Sequence, residues 1–417
     1  AGDNHRADQL LREMVNKVKQ GMLDKSNLDQ QFFNVVIDGW AKSDHPRASE
    51  KAESIFSSMN EIQMLPNVQC YTSLMQCVAK NGNSDAYNII QKIFGMMLDQ
   101  WKEGDAFAKP DAVVFNTMIS GLSQSQHPKA LDQAQLVIEK MQRMGVNPNT
   151  ISYTTVMSAW SNRQRPDKTE ECFQFLMKGY KGGDESLKPD HQTFNVRLLA
   201  WSRAGNPEMT LRTLEEWMAG SEAGWIDAKP SNRDFNAVLQ AWTRSNRPNA
   251  AEQAEKRLEE MFQLADETQH THKYDCRPSV HSFNSVISAY TKSRSPNAGE
   301  RAFGLMQKLQ NIGKENVNDG SIQPDFMTFS GILVALSHSD VKSDTSIATQ
   351  ERILALLREL STKKAPFWRQ VKNLSPLLGK LTSALDRYAS STKRNDVMVE
   401  LNKVKRAASS ATKNVKR

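Results

Sequence analysis

Apolar and polar positions along this chain follow one phrase that returns eight times. An aromatic residue comes first, a small polar residue follows, and an apolar stretch comes next. The instances are Phe33-Asn34, Tyr71-Thr72, Phe115-Asn116, Tyr153-Thr154, Phe194-Asn195, Phe235-Asn236, Phe283-Asn284 and Phe329-Ser330. Six residues after the polar one stand Trp40, Val78, Leu122, Trp160, Trp201, Trp242 and Tyr290. Directly before each of these is a small residue: Gly39, Cys77, Gly121, Ala159, Ala200, Ala241 or Ala289. Twelve residues after the polar one, six units place Pro46, Pro128, Pro166, Pro207, Pro248 and Pro296, and the second unit has Ser84 there. Each unit closes on proline plus a small polar residue: Pro66-Asn67, Pro110-Asp111, Pro148-Asn149, Pro189-Asp190, Pro230-Ser231, Pro278-Ser279 and Pro324-Asp325.

This pattern predicts helical hairpins. The closing Asn, Asp or Ser is an N-cap residue, so a helix starts just after it. The first helix of a unit, as in Phe32 to Lys42, carries apolar residues at helical spacing, with a small residue where a neighbour must approach. The proline-bearing turn ends it, and a second amphipathic helix follows, such as Ala48 to Met59 or Ala130 to Met144. Neither helix can bury its stripe alone, so the hairpins must stack. The large residues at the end of the first helix, Trp40 among them, are expected in inter-helix packing. The expected fold is all-α, a right-handed α-solenoid of stacked helix-turn-helix repeats.

Counted between closing residues, the units are 30–67, 68–111, 112–149, 150–190, 191–231, 232–279 and 280–325, with lengths of 38, 44, 38, 41, 41, 48 and 46 residues. The longest inserts follow the second helix, at Trp101–Lys109, Leu264–Arg277 and Asn311–Gln323, and are expected as polar loops outside the stack. Ala7 to Met14 repeats the spacing of Ala52 to Met59, so residues 1–29 read as the second helix and closing residue, Asp29, of a truncated unit. The array is therefore expected to begin upstream of Ala1. Residues 326–365 form a partial eighth unit, and 366–417 a basic helical cap and tail. Helices are expected there at about Ala348–Leu360, Pro366–Ser390 and Asn395–Ala408.

Charge divides the chain unevenly. Residues 361–417 hold 14 Lys and Arg against 3 Asp and Glu, a net of +11, which leaves the first 360 residues at −4. Long-range attraction for a polyanion therefore resides in the tail. Four scattered cysteines, Cys70, Cys77, Cys172 and Cys276, form no disulfide framework. His270, His272 and Cys276 have a faintly metal-like spacing without a second cluster to complete a tetrahedral site, so no metal is expected. No paired-Cys zinc motif, His-x-Glu deaminase signature, phosphate-cradling glycine loop or catalytic triad pattern appears, so neither catalytic residues nor a cofactor are expected. No apolar run suits a membrane helix.

Phe115-Asn116-Thr117-Met118-Ile119 and Lys109-Pro110-Asp111 resemble the aromatic-Asn-Thr-Leu-Ile phrase and the Lys-Pro-Asp close of the pentatricopeptide repeat family. The resemblance covers residues 30–325. It departs from the family's period of about 35 residues by a three-residue insertion in several hairpin turns. The resemblance implies a non-enzymatic protein of mitochondria or chloroplasts that binds single-stranded RNA at about one base per repeat. The polar residue of the first helix reads the base, assisted by the closing residue of the same repeat. An Asn amide, with donor and acceptor in one plane, suits a pyrimidine edge, and a shorter hydroxyl leaves room for a purine.

Carried over repeat by repeat, Asn34 with Asn67 implies a pyrimidine, Thr72 with Asp111 guanine, Asn116 with Asn149 a pyrimidine and Thr154 with Asp190 guanine. Asn195 with Ser231 and Asn236 with Ser279 imply cytosine, and Asn284 with Asp325 uracil, giving the core word YGYGCCU. The residues two after each closing residue, expected to flank the base, are Gln69, Val113, Ile151, Gln192, Arg233 and His281. Five of the seven full units place an Asn inside a first helix, where Ala or Leu is the better helix former, which favours a functional role. The expected roles are RNA stability, processing or translation. The alternatives are a ribosome-associated RNA-binding protein, with ribosomal or RNA-processing proteins as partners, and a protein-binding scaffold.

Overall fold

A computed structural model describes the chain except residues 1, 81–85, 125–129, 269–273, 275, 294, 296, 316–322, 339–344, 364–366, 369–370, 372–373, 389–393 and 414–417. Ser84, Pro128, Pro296, His270, His272 and Pro366 therefore lie outside the described residues. The described residues hold nineteen α-helices and no β-strand, and they divide into two compact units, Ala1–Ala200 and Trp201–Arg417. No helix among them is long and apolar enough to cross a membrane.

After α1 (Gly2–Lys19), the helices alternate in role. The first helices are α2 (Gln30–Lys42), α4 (Val68–Lys80), α6 (Ala112–Gln124), α8 (Thr150–Asn162), α10 (His191–Arg203), α12 (Asn232–Arg244), α14 (Val280–Ser293) and α16 (Phe326–Ser337). Their partners are α3 (Ala48–Glu61), α5 (Ala86–Lys102), α7 (Ala130–Arg143), α9 (Pro166–Lys181), α11 (Pro207–Glu222), α13 (Ala250–Thr268), α15 (Ala298–Glu315) and α17 (Thr345–Ser361). Each first helix starts on the residue after a closing residue, and where that residue is Asn or Asp its side chain accepts from an orphan N–H of the first turn. Asn149 accepts from Ser152 N at 3.0 Å and Asp190 from Thr193 N at 2.8 Å. Asp325 accepts from Thr328 N at 2.8 Å.

In the first unit, α2 packs on α3 and α4, α4 on α6, and α6 on α8. In the second, α12 packs on α13 and α14, and α14 on α16. This one-dimensional stacking of hairpins is an α-solenoid, in which each hairpin is buried by its neighbours. The apolar stripe is the core: Phe33, Ile37 and Trp40 in α2, and Phe283, Ile287 and Tyr290 in α14, are each at most 2% exposed. Gly121 marks a close approach, since a Cβ there would lie 2.4 Å from Ile90 Cδ1.

The hairpin turns use proline as a helix start. Pro166 and Pro207 are the first residues of α9 and α11, where the missing N–H costs nothing. The residues just ahead take left-handed backbone: Gln164 at φ 57°, Gly205 at φ 68° and Asn246 at φ 52°.

Two expectations change. The Leu264–Arg277 insert is not simply an outer loop, since α13 runs on to Thr268, and Tyr274 and Cys276 are buried. Tyr274 donates its hydroxyl to Glu222 at 2.7 Å and meets Phe235 edge-on, so the insert packs back on its own unit. In the tail, Phe367 and Trp368 are helical, α18 spans Leu374–Tyr388, and α19 (Arg394–Lys413) runs longer than predicted. Ahead of α18, Phe367 and Trp368 pack against Phe329 and Phe326 of α16 and cover its apolar surface.

Candidate nucleic-acid interface

One face of the first helices collects the polar pattern. The flanking positions Gln69, Val113, Ile151, Gln192, Arg233 and His281 are all exposed, as are Gln31 and Met327 at the same position in the first and last units. Three residues further along, the polar residue is recessed. Asn34, Thr72 and Asn236 are 4%, 8% and 3% exposed, while Asn116, Thr154, Asn195 and Asn284 are half-buried. The interface thus has a protruding row of flanks with a recessed polar row behind it.

A cavity of about 510 Å³ in the second unit shows the arrangement most fully. Its walls bring together the flanks His281 and Met327, the reader Asn284, the closing residue Asp325, and the cations Arg244 and Lys292. Asn284 Nδ2 donates to Asp325 Oδ1 at 3.0 Å. Asn284 Oδ1 accepts from Thr328 Oγ1 at 2.7 Å. On one side Gln240 Nε2 lies 3.0 Å from His281 Nε2.

The other pairs are arranged differently. Asn34 and Asn67 meet through Cys70, whose backbone N–H donates to Asn67 Oδ1 at 3.0 Å and whose thiol donates to Asn34 Oδ1 at 2.7 Å. Asn34 Nδ2 also reaches Gln69 Oε1 at 3.4 Å. Thr154 and Asp190 meet through Thr193, whose Oγ1 lies 3.0 Å from Thr154 Oγ1 and donates to Asp190 Oδ1 at 2.7 Å. Asn236 and Ser279 both donate to Asn232 Oδ1, at 2.6 and 3.4 Å. Asn116 Oδ1 and Asn236 Oδ1 are buried without a hydrogen-bond partner among the described residues.

Neither Asn116 with Asn149 nor Thr72 with Asp111 is joined in this way. Thr72 donates back to Val68 O at 2.8 Å and Asp111 caps α6 at Val114 N, 3.0 Å away. Asn195 belongs to the first unit, whereas Ser231, in the second, donates its N–H and hydroxyl to Asp234 Oδ2, both at 2.8 Å.

The sequence reading missed a basic row eight residues after the reader: Lys42, Lys80, Arg203, Arg244 and Lys292, all exposed. Its signal was present as a fixed spacing within near-neutral composition. Three of these cations reach the C-terminal end of the preceding first helix, where orphan carbonyls and the helix dipole favour positive charge. Lys80 Nζ donates to the carbonyls of Lys42 and Ser43 at 3.2 and 3.0 Å, and Lys292 Nζ to Thr243 O at 3.1 Å. Arg244 Nη1 approaches Ser202 O at 3.4 Å.

A family model described as the PPR repeat family matches residues 110–162, and one described as the PPR repeat matches 281–310. The chain contains pentatricopeptide repeats. A pentatricopeptide repeat-containing protein of Arabidopsis thaliana is 25% identical over 147 residues, 35% of this chain and 23% of that protein. A chloroplastic one from the same plant is 24% identical over 147 residues, 35% and 26% of the two chains. A mitochondrial one is 28% identical over 103 residues, 24% and 16% of the two chains. The matches with the first two thus span about a quarter of the relatives' own length. Among solved structures, the crystal structure of the pentatricopeptide repeat protein PPR10 from maize is similar at a TM-score of 0.52 and 15% identity, covering 96% of this chain and 54% of that one. That likeness establishes the solenoid fold.

Proposed function

We propose that this pentatricopeptide repeat protein binds single-stranded RNA sequence-selectively, one base per repeat, in an organelle. The observation that carries the reading is the groove around Asn284. It has room for a nucleobase and is lined by exposed flanks, a recessed amide, a carboxylate and two cations. One N–H of Asn284 bonds Asp325, which leaves the second as a donor, and the second oxygen of Asp325 remains an acceptor. Uracil offers a carbonyl acceptor beside its N3–H donor, whereas cytosine offers an amine beside an acceptor nitrogen. A donor beside an acceptor complements either pyrimidine edge, O4 with N3–H in uracil or N3 with the amine in cytosine, and it is the family resemblance that assigns the Asn–Asp pair to uracil.

His281 and Met327 give the base two faces to lie between, and base stacking contributes about 1–3 kcal/mol whatever the base. Arg244 and Lys292 lie where a phosphate would follow. The chloroplastic and mitochondrial names of the relatives support an organellar setting. Occupancy alone blocks exonucleases or holds an RNA segment unfolded, which suits a role in transcript stability, processing or translation.

The test is fluorescence anisotropy with an oligonucleotide containing YGYGCCU against a scrambled control at fixed, moderate salt. Preference for the first supports reading. Equal affinity leaves only electrostatic grip, as a ribosomal RNA-binding role would need, and binding to neither favours a protein scaffold. As a sharper prediction, Asn116→Thr combined with Asn149→Asp moves the third-base preference from pyrimidine to guanine. An unchanged preference would refute the register.

A further inference from the structure

We propose that in repeats one, four and seven the residue three positions after the closing residue, which belongs to the following repeat, is a positioning residue that sets how the preceding repeat's reader faces its base. The inference rests on the base-reading proposal above. Three repeats show the contact independently. Cys70 Sγ donates to Asn34 Oδ1 at 2.7 Å, Thr193 Oγ1 lies 3.0 Å from Thr154 Oγ1, and Thr328 Oγ1 donates to Asn284 Oδ1 at 2.7 Å. All three residues are fully buried, so none is there for contact with solvent, and Thr193, whose proton goes to Asp190, accepts from Thr154.

The bland explanation is that these residues only close the N-terminal capping box of their own helix. Thr328 does this, since Asp325 N donates to its Oγ1 at 3.2 Å, and Asp190 N reaches Thr193 Oγ1 at 3.4 Å. Cys70 separates the two roles: Asn67 is capped through the Cys70 backbone, while the Cys70 thiol is spent on Asn34. Burial pushes that thiol up to about 11, so it keeps the proton it donates.

The chemical consequence follows from the Asn amide. With Oδ1 engaged by the next repeat, only the NH2 end remains to face a ligand, and the reader presents a donor. Repeats three and six lack this engagement. There the corresponding residues are Ser152 and Ser282, whose hydroxyls meet their own caps: Ser152 donates to Asn149 Oδ1, and Ser282 accepts from Ser279 N. The matching reader oxygens, Asn116 Oδ1 and Asn236 Oδ1, are the two left without partners. Asn116, with its oxygen unengaged, can present carbonyl or NH2 and so accepts cytosine or uracil, whereas Asn236, held at Nδ2 by Asn232 Oδ1 at 2.6 Å, presents its carbonyl. Pinned and unpinned readers of identical residue type therefore differ in how sharply they discriminate pyrimidines.

The test varies the seventh base of the YGYGCCU oligonucleotide among all four, with the full chain as wild type, Thr328→Val and Thr328→Ser, folding being checked by circular dichroism. Wild type is expected to prefer uracil over cytosine there by about tenfold, within the 1–3 kcal/mol that a well-placed donor–acceptor pair supplies. Thr328→Val is expected to reduce that ratio to about threefold or less without changing preferences at the other six positions, and Thr328→Ser to restore it. Uniform weakening for all four bases, or an unchanged ratio, overturns the positioning role. Absence of any seventh-base preference in wild type overturns the reading itself, and this inference with it. At the first repeat, Cys70→Ala is expected to broaden the first-base preference while Cys70→Ser retains it. Equal behaviour of the two contradicts the proposal without depending on how Thr328 variants fold.

Discussion

Arg197 sits two residues after Asn195, where other repeats place Val36, Leu74, Val156 or Val286. It is 1% exposed, paired to Glu170 through two nitrogens at 2.7 and 2.8 Å, with its guanidinium 4.1 Å from the Phe173 ring centre. A buried pair of this kind is costly to break from one side and cheap to replace as a whole. Glu170→Ala is expected to destabilise the protein by about 3–5 kcal/mol, whereas Glu170→Leu with Arg197→Met is expected to be neutral or stabilising. Urea midpoints of the three proteins decide this. Residue by residue, the sequence singled out the polar residues that form the recessed row of the first helices, because Asn inside a helix between an aromatic and an apolar run has little structural motive. The roles of Cys70, Thr193 and Thr328 were not legible. A Ser or Thr three residues into a helix already has a local explanation as a capping box, and its second bond spans 36 to 44 residues.

Helix starts were readable because a cap is a local event, fixed by one side chain and the next three N–H groups. Helix ends and inserts were less so, since Tyr274 and Trp368 pack against residues far along the chain. The hairpin turns offer a test at this scale. Gly205 combines φ 68° with an approach in which an added Cβ would lie 2.7 Å from Arg244 O, whereas Gly145 at φ 72° has open space around it. Gly145→Ala should cost about 1–2 kcal/mol from the left-handed backbone alone. Gly205→Ala should cost measurably more, because backbone must shift as well, and thermal melts of the two variants should rank in that order.

The distribution of charge across the whole molecule looks different once the helices are in place. A net of −4 over the first 360 residues suggested that the basic tail supplies the attraction for RNA. The row Lys42, Lys80, Arg203, Arg244 and Lys292 adds exposed cations on the first helices, of which Lys42 and Lys80 are paired with Asp38 and Asp44. Net charge averages over faces, which is why it concealed the row. If each cation neutralises one phosphate, the salt dependence of binding loses about 0.7 in slope per cation removed. Arg244→Gln with Lys292→Gln is therefore expected to lower the slope by about 1.4 in anisotropy titrations from low to high salt, with base preference unchanged.

The bond from Thr328 back to Asn284 crosses the hairpin boundary after Asp325, as the bond from Cys70 back to Asn34 crosses the one after Asn67. A module cut at the closing residue would leave half of such a contact behind. The piece that could be spliced into another array with its polar wiring intact spans 284–328 rather than 280–325. Its seams would fall inside first helices, and the borrowed segment would have to match its host's helical phase on both sides.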